Sequence, residues 1–173
     1  KTAAFGIPVL QRISEIPQPQ MGEIGRGLPH ALILAPTREL CLQIADDMRD
    51  FAKYLDGIHI EAVYGGASIE QQIRPLRKGV QVVVATPGRL IDLMNRGVAK
   101  LDDVQNVVLD EADEMLNMGF QESIDEILEN VPENRNTLLF SATMSRDIER
   151  IAKGYLHDYK EIVVGSRNEG AEH

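Results

Sequence analysis

Short apolar runs rich in β-branched residues recur along the chain, separated by segments with the periodicity of helices. Six of these runs are predicted to be strands, over residues 31–35, 60–64, 82–85, 107–110, 137–141 and 162–164. Most of the runs are apolar throughout instead of alternating between apolar and polar residues. Such runs are typical of strands buried on both faces of a parallel sheet, with helices above and below it.

The segments between the predicted strands carry apolar residues at helical spacing. Two helical faces are clear, one formed by Leu40, Ile44, Met48 and Phe51 and the other by Ile124, Ile127, Leu128 and Val131. Because strands and helices alternate, the predicted fold class is α/β, with a mostly parallel central sheet flanked by helices. The opening of the chain is also helical in pattern but contains Pro8, which leaves open whether that helix continues past the proline.

Several predicted helices have recognisable start signals. Ser68 with Gln71 matches a capping box, and Thr86 followed by Pro87 places a cap residue before a proline at the first helical position. Ser145 is predicted to cap the helix that follows it. In open parallel sheets, ligands bind just beyond the carboxyl ends of the strands, so residues at these strand-to-helix junctions are the candidates for chemistry.

With 173 residues, of which 43% are hydrophobic, the chain has the size and composition of one globular domain. No apolar run approaches membrane-spanning length and the N-terminus lacks a secretion signal, so we expect a soluble, cytoplasmic protein without a membrane partner. The single cysteine, Cys41, excludes an internal disulfide, and the four histidines are too scattered to indicate a structural metal site. The segment 16–29, rich in proline and glycine, is predicted to be an exposed loop.

The formal net charge of -9 argues against nucleic-acid binding by a diffuse basic surface. Affinity of that kind depends on an excess of lysine and arginine. Any contact with a nucleic acid must therefore be local. Backbone amides at helix N-termini can bind phosphates without a net positive charge.

The strongest local feature is a pair of carboxylates at the end of a predicted strand, where the apolar run 107–109 leads directly into Asp110 and Glu111. In nucleotide hydrolysis, one such carboxylate can hold magnesium while its neighbour orients and deprotonates the attacking water. The alternative is a solvated acidic turn at the start of the next helix, which the helix dipole favours. For an Asp-Glu pair taken alone, this alternative is the more common outcome, so the surrounding motifs have to decide.

Two helix starts at predicted strand ends combine a hydroxyl, an arginine and exposed backbone amides. A pair of glycines follows another predicted strand. The residues concerned are Pro36, Thr37 and Arg38 after the first strand, Gly65 and Gly66 after the second, and Thr86, Pro87, Gly88 and Arg89 after the third. This chemistry suits the binding of successive phosphates, and the glycines let the backbone approach a ligand closely. Taken alone, the segment after the first strand is more often an ordinary helix start, with Thr37 as the cap and Arg38 solvated in the first turn. The glycine pair alone is equally compatible with a plain strand-to-helix turn.

Short hydroxyl side chains follow the fifth predicted strand at Ser141 and Thr143. They could hydrogen-bond to carboxylates at a neighbouring strand end, although serine and threonine also favour simple turns. Lys1 and Thr2, which precede a helical pattern, match the last two residues of a phosphate-binding loop of the form G-x-x-x-x-G-K-T. The glycines of that loop are absent from the sequence.

Taken together and in chain order, these segments resemble the motifs of the DEAD-box family of RNA helicases, over nearly the whole chain. The matching segments are residues 1–5, 36–40, 65–66, 86–89, 110–113 and 141–143, with 115–120 also typical of the family. The resemblance implies a RecA-like three-layer sandwich over residues 1–165, followed by the start of a linker at 166–173. It further implies a second RecA-like domain, with which this one would close around ATP and single-stranded RNA.

The resemblance also implies sites for ATP with magnesium and for the backbone of single-stranded RNA, the latter without sequence selectivity. The nucleotide site would comprise Lys1 at the outer phosphates, Thr2 and Asp110 at magnesium, and Glu111 at the attacking water, with Asp110 and Glu111 as the catalytic pair. The RNA site would comprise Pro36, Thr37, Arg38, Gly65, Gly66, Thr86, Pro87, Gly88 and Arg89. Asp113, Ser141 and Thr143 would couple the two sites.

The sequence also departs from the family pattern, because the phosphate-loop glycines, a preceding adenine-reading glutamine segment and the second domain with its arginine finger are missing. Such a finger contributes roughly a thousand-fold or more in rate, so we expect the segment alone to hydrolyse ATP barely. The alternative is a non-catalytic RNA-binding or scaffold module of the same fold, against which Asp110 and Glu111 argue. A DNA helicase ranks third, since it would not be expected to pair segments 36–40 and 110–113 with 141–143.

Overall fold

A computed structural model of the chain describes residues 2–16, 28–157 and 162–164, and within them it contains seven helices and six strands. In chain order these are α1 (Thr2–Ser14), β1 (Ala31–Leu34), α2 (Arg38–Ala52), β2 (Ile60–Val63), α3 (Ile69–Lys78), β3 (Val82–Ala85), α4 (Pro87–Asn95), β4 (Asn106–Leu109), α5 (Ala112–Asn117), α6 (Gln121–Glu129), β5 (Asn136–Ser141), α7 (Arg146–Tyr155) and β6 (Ile162–Val164). Among the residues that the structure describes, no helical segment combines the length and the apolar character that spanning a bilayer requires.

The six strands form one parallel sheet in the order β2-β3-β1-β4-β5-β6. Helices cover both of its faces. The hydrophobic core is therefore divided into two clusters, one on each face of the sheet. In β1, Ala31 and Ile33 pack with α1 and α2, whereas Leu32 and Leu34 pack with the helices from α3 to α7. The predicted α/β class with a central sheet flanked by helices is therefore confirmed, and every described strand pair is parallel.

All six strand predictions agree with the structure to within one residue at each end. Strands β1, β3 and β4 are buried at every position, as their continuous apolar runs indicate. The predicted loop over 16–29 falls mostly on residues 17–27, which lie outside the described residues, as do Lys1 and the predicted linker 166–173.

Helix α1 continues through Pro8. A proline in a helix interior removes one backbone hydrogen bond and normally kinks or breaks the helix. Here Phe5, Val9, Leu10 and Ile13 are buried against the sheet and α2. We attribute the continuous helix to this burial, because tertiary packing of an apolar face supplies most of the stability of helices in proteins.

The predicted helix starts are only partly confirmed. Ser145 caps α7 by accepting a hydrogen bond from the Ile148 amide at 3.2 Å. Thr86 stands at the N-cap position with Pro87 at the start of α4, as predicted, but its side chain makes no capping hydrogen bond. The prediction of a capping box at Ser68 is wrong, because Ser68 is the residue before α3 but its side chain makes no capping hydrogen bond. The chain leading into α3 is instead held by Arg89, which donates to the Ala67 carbonyl at 3.1 Å.

Candidate functional site

The carboxyl ends of the strands lie along one edge of the sheet, hereafter the rim. Backbone hydrogen bonds align the first residues beyond neighbouring strands. The amide of Asp110 donates to the carbonyl of Leu34 at 2.9 Å, and the amide of Thr86 donates to the carbonyl of Val63 at 3.0 Å. The segments that follow β1, β2, β3, β4 and β5 are therefore neighbours, which is where ligands bind in open parallel sheets.

Helix α1 runs antiparallel to the strands and brings its N-terminus to the rim. Near its start, the ring of Phe5 packs on Phe140, close to the carboxyl end of β5, with the ring centroids 5.4 Å apart. Near its end, Arg12 donates to the side chain of Asn106, the first residue of β4, at 3.3 Å. Thr2, at the start of the helix, therefore lies on the same edge as the end of β4, and its side chain is buried.

One part of the rim, the carboxylate side, comprises Asp110, Glu111, Asp113, Ser141 and Thr143. Asp110 is fully buried directly beyond β4. Glu111 has φ 52° and ψ 51°, the only left-handed conformation of a residue other than glycine among those described. A left-handed glutamate costs roughly 1–2 kcal/mol and persists only where the surroundings enforce it, which is common at functional sites.

Hydrogen bonds join the remaining residues of the carboxylate side across two elements. The hydroxyl of Thr143 donates to Asp113 Oδ2 at 3.3 Å, and the hydroxyl of Ser141 donates to the carbonyl of Thr143 at 2.8 Å. The second bond folds the chain back directly after β5. The structure therefore brings together the three residues predicted for coupling, and it contains the predicted hydrogen bond from a hydroxyl to a carboxylate of the neighbouring strand end.

The other part, the arginine side, comprises the segments after β1, β2 and β3, namely Pro36, Thr37, Arg38, Gly65, Gly66, Thr86, Pro87, Gly88 and Arg89. Thr37 caps α2 by accepting from the Leu40 amide at 3.2 Å, which confirms its predicted structural role. A Cβ added at Gly65, Gly66 or Gly88 would meet no heavy atom within 4 Å, so the backbone at these glycines is open to an approaching ligand.

The two arginines of this side are held differently. Arg38 is exposed, and its guanidinium lies 5.1 Å from the ring centroid of Tyr64, within the range of a cation–π contact. Arg89 is half-buried and donates from Nη1 to Gln72 Oε1 at 3.0 Å and from Nη2 to the carbonyl of Ala67 at 3.1 Å. Arg89 is thus part of the architecture of the rim as well as a candidate for binding a ligand.

Sequence reasoning missed Gln72 and Tyr64, which belong to none of the motifs. A signal for Gln72 does exist in the sequence. It lies on the same helical face as Ile69 and Ile73, of which Ile73 is buried and Ile69 partly buried, and Gln72 itself is buried. A buried polar residue on an apolar face of a helix needs hydrogen-bond partners, and those of Gln72 are Tyr64 and Arg89 at the rim.

Comparison with known proteins is consistent with these motifs. A family model described as DEAD/DEAH box helicase matches residues 1–151. Curated relatives include "ATP-dependent RNA helicase DeaD" of Buchnera aphidicola, 46% identical over 166 residues, and of Escherichia coli, 45% identical over 167 residues. Each alignment covers 96% of this chain but only 26% and 25% of the relative. The chain therefore spans about a quarter of the length of these relatives.

Solved structures show the same fold. A yeast DEAD-box splicing factor aligns with a TM-score of 0.84 and 37% identity, over 94% of this chain and 38% of that chain. A DEAD box protein of the hyperthermophile Methanococcus jannaschii aligns with a TM-score of 0.80 and 39% identity, over 97% of this chain and 43% of that chain. These similarities confirm the predicted RecA-like three-layer architecture.

Proposed function

Because this chain belongs to the DEAD/DEAH box helicase family, we propose that its residues 1–165 form the first of two RecA-like domains of an ATP-dependent RNA helicase. In this proposal the domain binds ATP with magnesium on the carboxylate side of the rim and single-stranded RNA on the arginine side. Closure with a second RecA-like domain of the same protein would then permit hydrolysis and local separation of an RNA duplex.

The observation that carries the proposal is that both kinds of chemistry share one edge of a single parallel sheet. Asp110 follows β4, and the amide of Asp110 is bonded to the neighbouring strand β1, whose end leads into Thr37 and Arg38. A nucleotide and a polynucleotide bound here would be close enough for each to influence the other through the intervening backbone. Relatives at about 45% identity that are named RNA helicases support the same reading.

For the nucleotide, we assign Lys1 and Thr2 to the phosphates and Asp110 and Glu111 to hydrolysis. The hydroxyl of Thr2 and the carboxylate of Asp110 are oxygen donors, which are the ligands that magnesium prefers, and both residues are buried on the rim. The residues present therefore fit a magnesium ion, which would neutralise charge on the phosphates. Glu111 is the candidate for orienting and deprotonating the attacking water, because it directly follows Asp110 and is held there in a left-handed backbone conformation.

For RNA, we assign phosphate contacts to the arginine side of the rim. The N-termini of α2 and α4 supply backbone amides together with Arg38 and Arg89, and the open backbone at the adjacent glycines permits close approach. Contacts of this kind recognise the sugar-phosphate backbone and not the base sequence. Asp113, Ser141 and Thr143 are assigned to coupling, as the resemblance to the family implies, and their hydrogen bonds hold the helix that follows β4 against the end of β5.

The alternative of a non-catalytic RNA-binding module is disfavoured by Glu111. A scaffold has no use for a glutamate in a costly backbone conformation next to a buried aspartate, whereas catalytic sites commonly store such strain. A DNA helicase would use the same nucleotide chemistry, so the choice of polynucleotide has to be tested directly.

The proposal is tested by measuring ATP hydrolysis by the full-length protein with and without single-stranded RNA. We expect RNA to stimulate hydrolysis, and two RNAs of unrelated sequence to stimulate it equally. Single-stranded DNA of matched sequence is the control, and we expect it to stimulate hydrolysis far less. No hydrolysis under any condition would favour the non-catalytic module, and equal stimulation by DNA would contradict the assignment to RNA.

A further inference from the structure

Gln72, on the buried face of α3, makes three hydrogen bonds to the arginine side of the rim. Its Oε1 accepts from the Tyr64 amide at 3.2 Å and from Arg89 Nη1 at 3.0 Å, and its Nε2 donates to the Tyr64 carbonyl at 3.1 Å. Both acceptor sites of the side-chain carbonyl are therefore occupied, and the orientation of the amide is determined by its partners. Only an amide side chain of this length can satisfy all three partners at once.

The partners of Gln72 connect both arginines of the rim to one loop, residues 64–67. Arg89 bonds to Gln72 with one nitrogen and to the Ala67 carbonyl, at the end of the loop, with another. At the start of the loop, the Tyr64 ring faces the guanidinium of Arg38. The loop is thus tied to α3 and α4 by hydrogen bonds and contacts α2 through an aromatic ring.

The loop depends on these contacts for its order because two glycines, Gly65 and Gly66, form its centre. Gly66 has φ 83°, and neither glycine has a neighbouring heavy atom within 4 Å of the place where a Cβ would stand. Glycines lose more conformational freedom on ordering than any other residue, and a ligand that has to order them loses affinity. Holding both ends of the loop in advance reduces that loss.

We propose that Gln72 is a positioning residue for RNA binding, which holds the loop 64–67 and the Arg89 guanidinium in the arrangement that contacts the phosphates. The guanidinium carries five N–H donors, of which two are used by Gln72 and Ala67, so the others remain for a phosphate oxygen. This inference rests on the proposed function and deepens it. It assigns a role in RNA binding to a residue that belongs to none of the motifs.

The test uses the full-length protein with Gln72→Met, which preserves the approximate volume of the side chain but removes all three hydrogen bonds. Binding of a fluorescein-labelled uridine decamer is measured by anisotropy in the presence of a non-hydrolysable ATP analogue. We expect the Kd for RNA to rise by about tenfold, the effect typical of losing a hydrogen bond to a charged group. Affinity for the ATP analogue without RNA should stay within about twofold of the unaltered protein, because the hydrogen bonds of Gln72 go to Tyr64 and Arg89 and not to the carboxylate side.

Gln71→Met is the matched control, because Gln71 is the exposed neighbour of Gln72 on the same helix. Its RNA affinity should equal that of the unaltered protein. A double-mutant cycle with Arg89→Ala separates positioning from a general loss of structure. If Gln72 acts through the loop and Arg89, the double variant should bind RNA little worse than Arg89→Ala alone, whereas independent damage would add.

Should Gln72→Met fail to fold, Gln72→Asn replaces it, because asparagine keeps the amide group and its neutral charge but is one methylene too short to reach the same partners. Weakened RNA binding with normal nucleotide binding would again support the role. If the unaltered protein binds RNA and the folded variant binds it equally well, the positioning role is refuted while the proposed function stands. If the unaltered protein binds no RNA, both are refuted.

Discussion

The two sides of the rim are built from the same strand-to-helix junction but are held in place by different means. On the arginine side, hydrogen bonds from Gln72 and Arg89 tie a flexible glycine loop to its surroundings. On the carboxylate side, Asp110 is fully buried and Glu111 occupies a left-handed conformation. The arginine side is ordered by side-chain hydrogen bonds to a glycine loop. The carboxylate side combines a buried aspartate and a strained glutamate with hydrogen bonds among Asp113, Ser141 and Thr143.

Under the proposed function, this difference lets a chain with a net charge of -9 present separate sites for phosphates and for catalysis. On the arginine side, two guanidiniums and helix amides supply a local positive surface without a basic domain. On the carboxylate side, the low dielectric around a buried aspartate strengthens its attraction for a cation. The sites therefore depend on where individual charged groups and backbone amides lie, and substitutions can test each side and the coupling between them.

The largest effect is expected from Glu111→Gln in the full-length protein. Loss of the group that deprotonates water should lower RNA-stimulated ATP hydrolysis by about 10²–10⁴-fold. ATP binding should be retained, because glutamine keeps the size of the side chain. Steady-state hydrolysis and equilibrium binding of a fluorescent ATP analogue measure the two effects, and unchanged turnover would refute the role of Glu111.

On the arginine side, Arg89→Ala is expected to have a smaller effect, which is a loss of RNA affinity. RNA binding should weaken by about 1.5–3 kcal/mol, equally for unrelated sequences, because a hydrogen bond to a charged phosphate is lost. The dependence of the affinity on salt should become shallower. The hydrogen bonds to Gln72 and Ala67 are lost as well, so the loop should also become less ordered.

Arg77→Ala is the matched control for Arg89→Ala, since Arg77 is an exposed cation in the last turn of α3. Anisotropy titrations at several salt concentrations measure both variants. A loss confined to one RNA sequence would contradict a contact to the phosphate backbone.

Coupling between the two sides is tested with Thr143→Val, which removes the hydroxyl that donates to Asp113. A net hydrogen-bond contribution of about 0.5–1.5 kcal/mol predicts that RNA stimulation of hydrolysis falls by a few-fold, while affinities for RNA and ATP change little. Thr143→Ser retains the hydroxyl and should behave like the unaltered protein. Equal rates for the valine and serine variants would show that the hydrogen bond plays no part.

The smallest effect concerns backbone strain at Glu111. Glycine adopts a left-handed conformation without penalty, so Glu111→Gly should be more stable than Glu111→Ala by about 1 kcal/mol, or about 2–4 °C in Tm. The same pair at Glu114, inside α5, should show the opposite order, because glycine destabilises a helix interior. Thermal unfolding measures all four variants, and the same order at both positions would contradict strain at Glu111.

The pattern of apolar residues predicted the six strands to within one residue, and it predicted the class of fold. It succeeded because burial on both faces of a sheet leaves a continuous apolar run that can be read locally. The motifs also predicted which strand ends would carry carboxylates and which would carry arginines, since both follow directly from chain order. The sequence signals for helix starts predicted less well, since the capping box expected at Ser68 does not form.

Only the tertiary structure decided how these pieces meet. The sheet order placed Thr143 beside Asp113, 30 residues earlier in the chain, and Gln72 beside Arg89, 17 residues later. Tertiary packing also determined that α1 continues through Pro8 and that Glu111 has a left-handed backbone conformation. The physical reason is that periodicity records only whether a side chain is buried, whereas its hydrogen-bond partner and any backbone strain depend on which elements pack beside it.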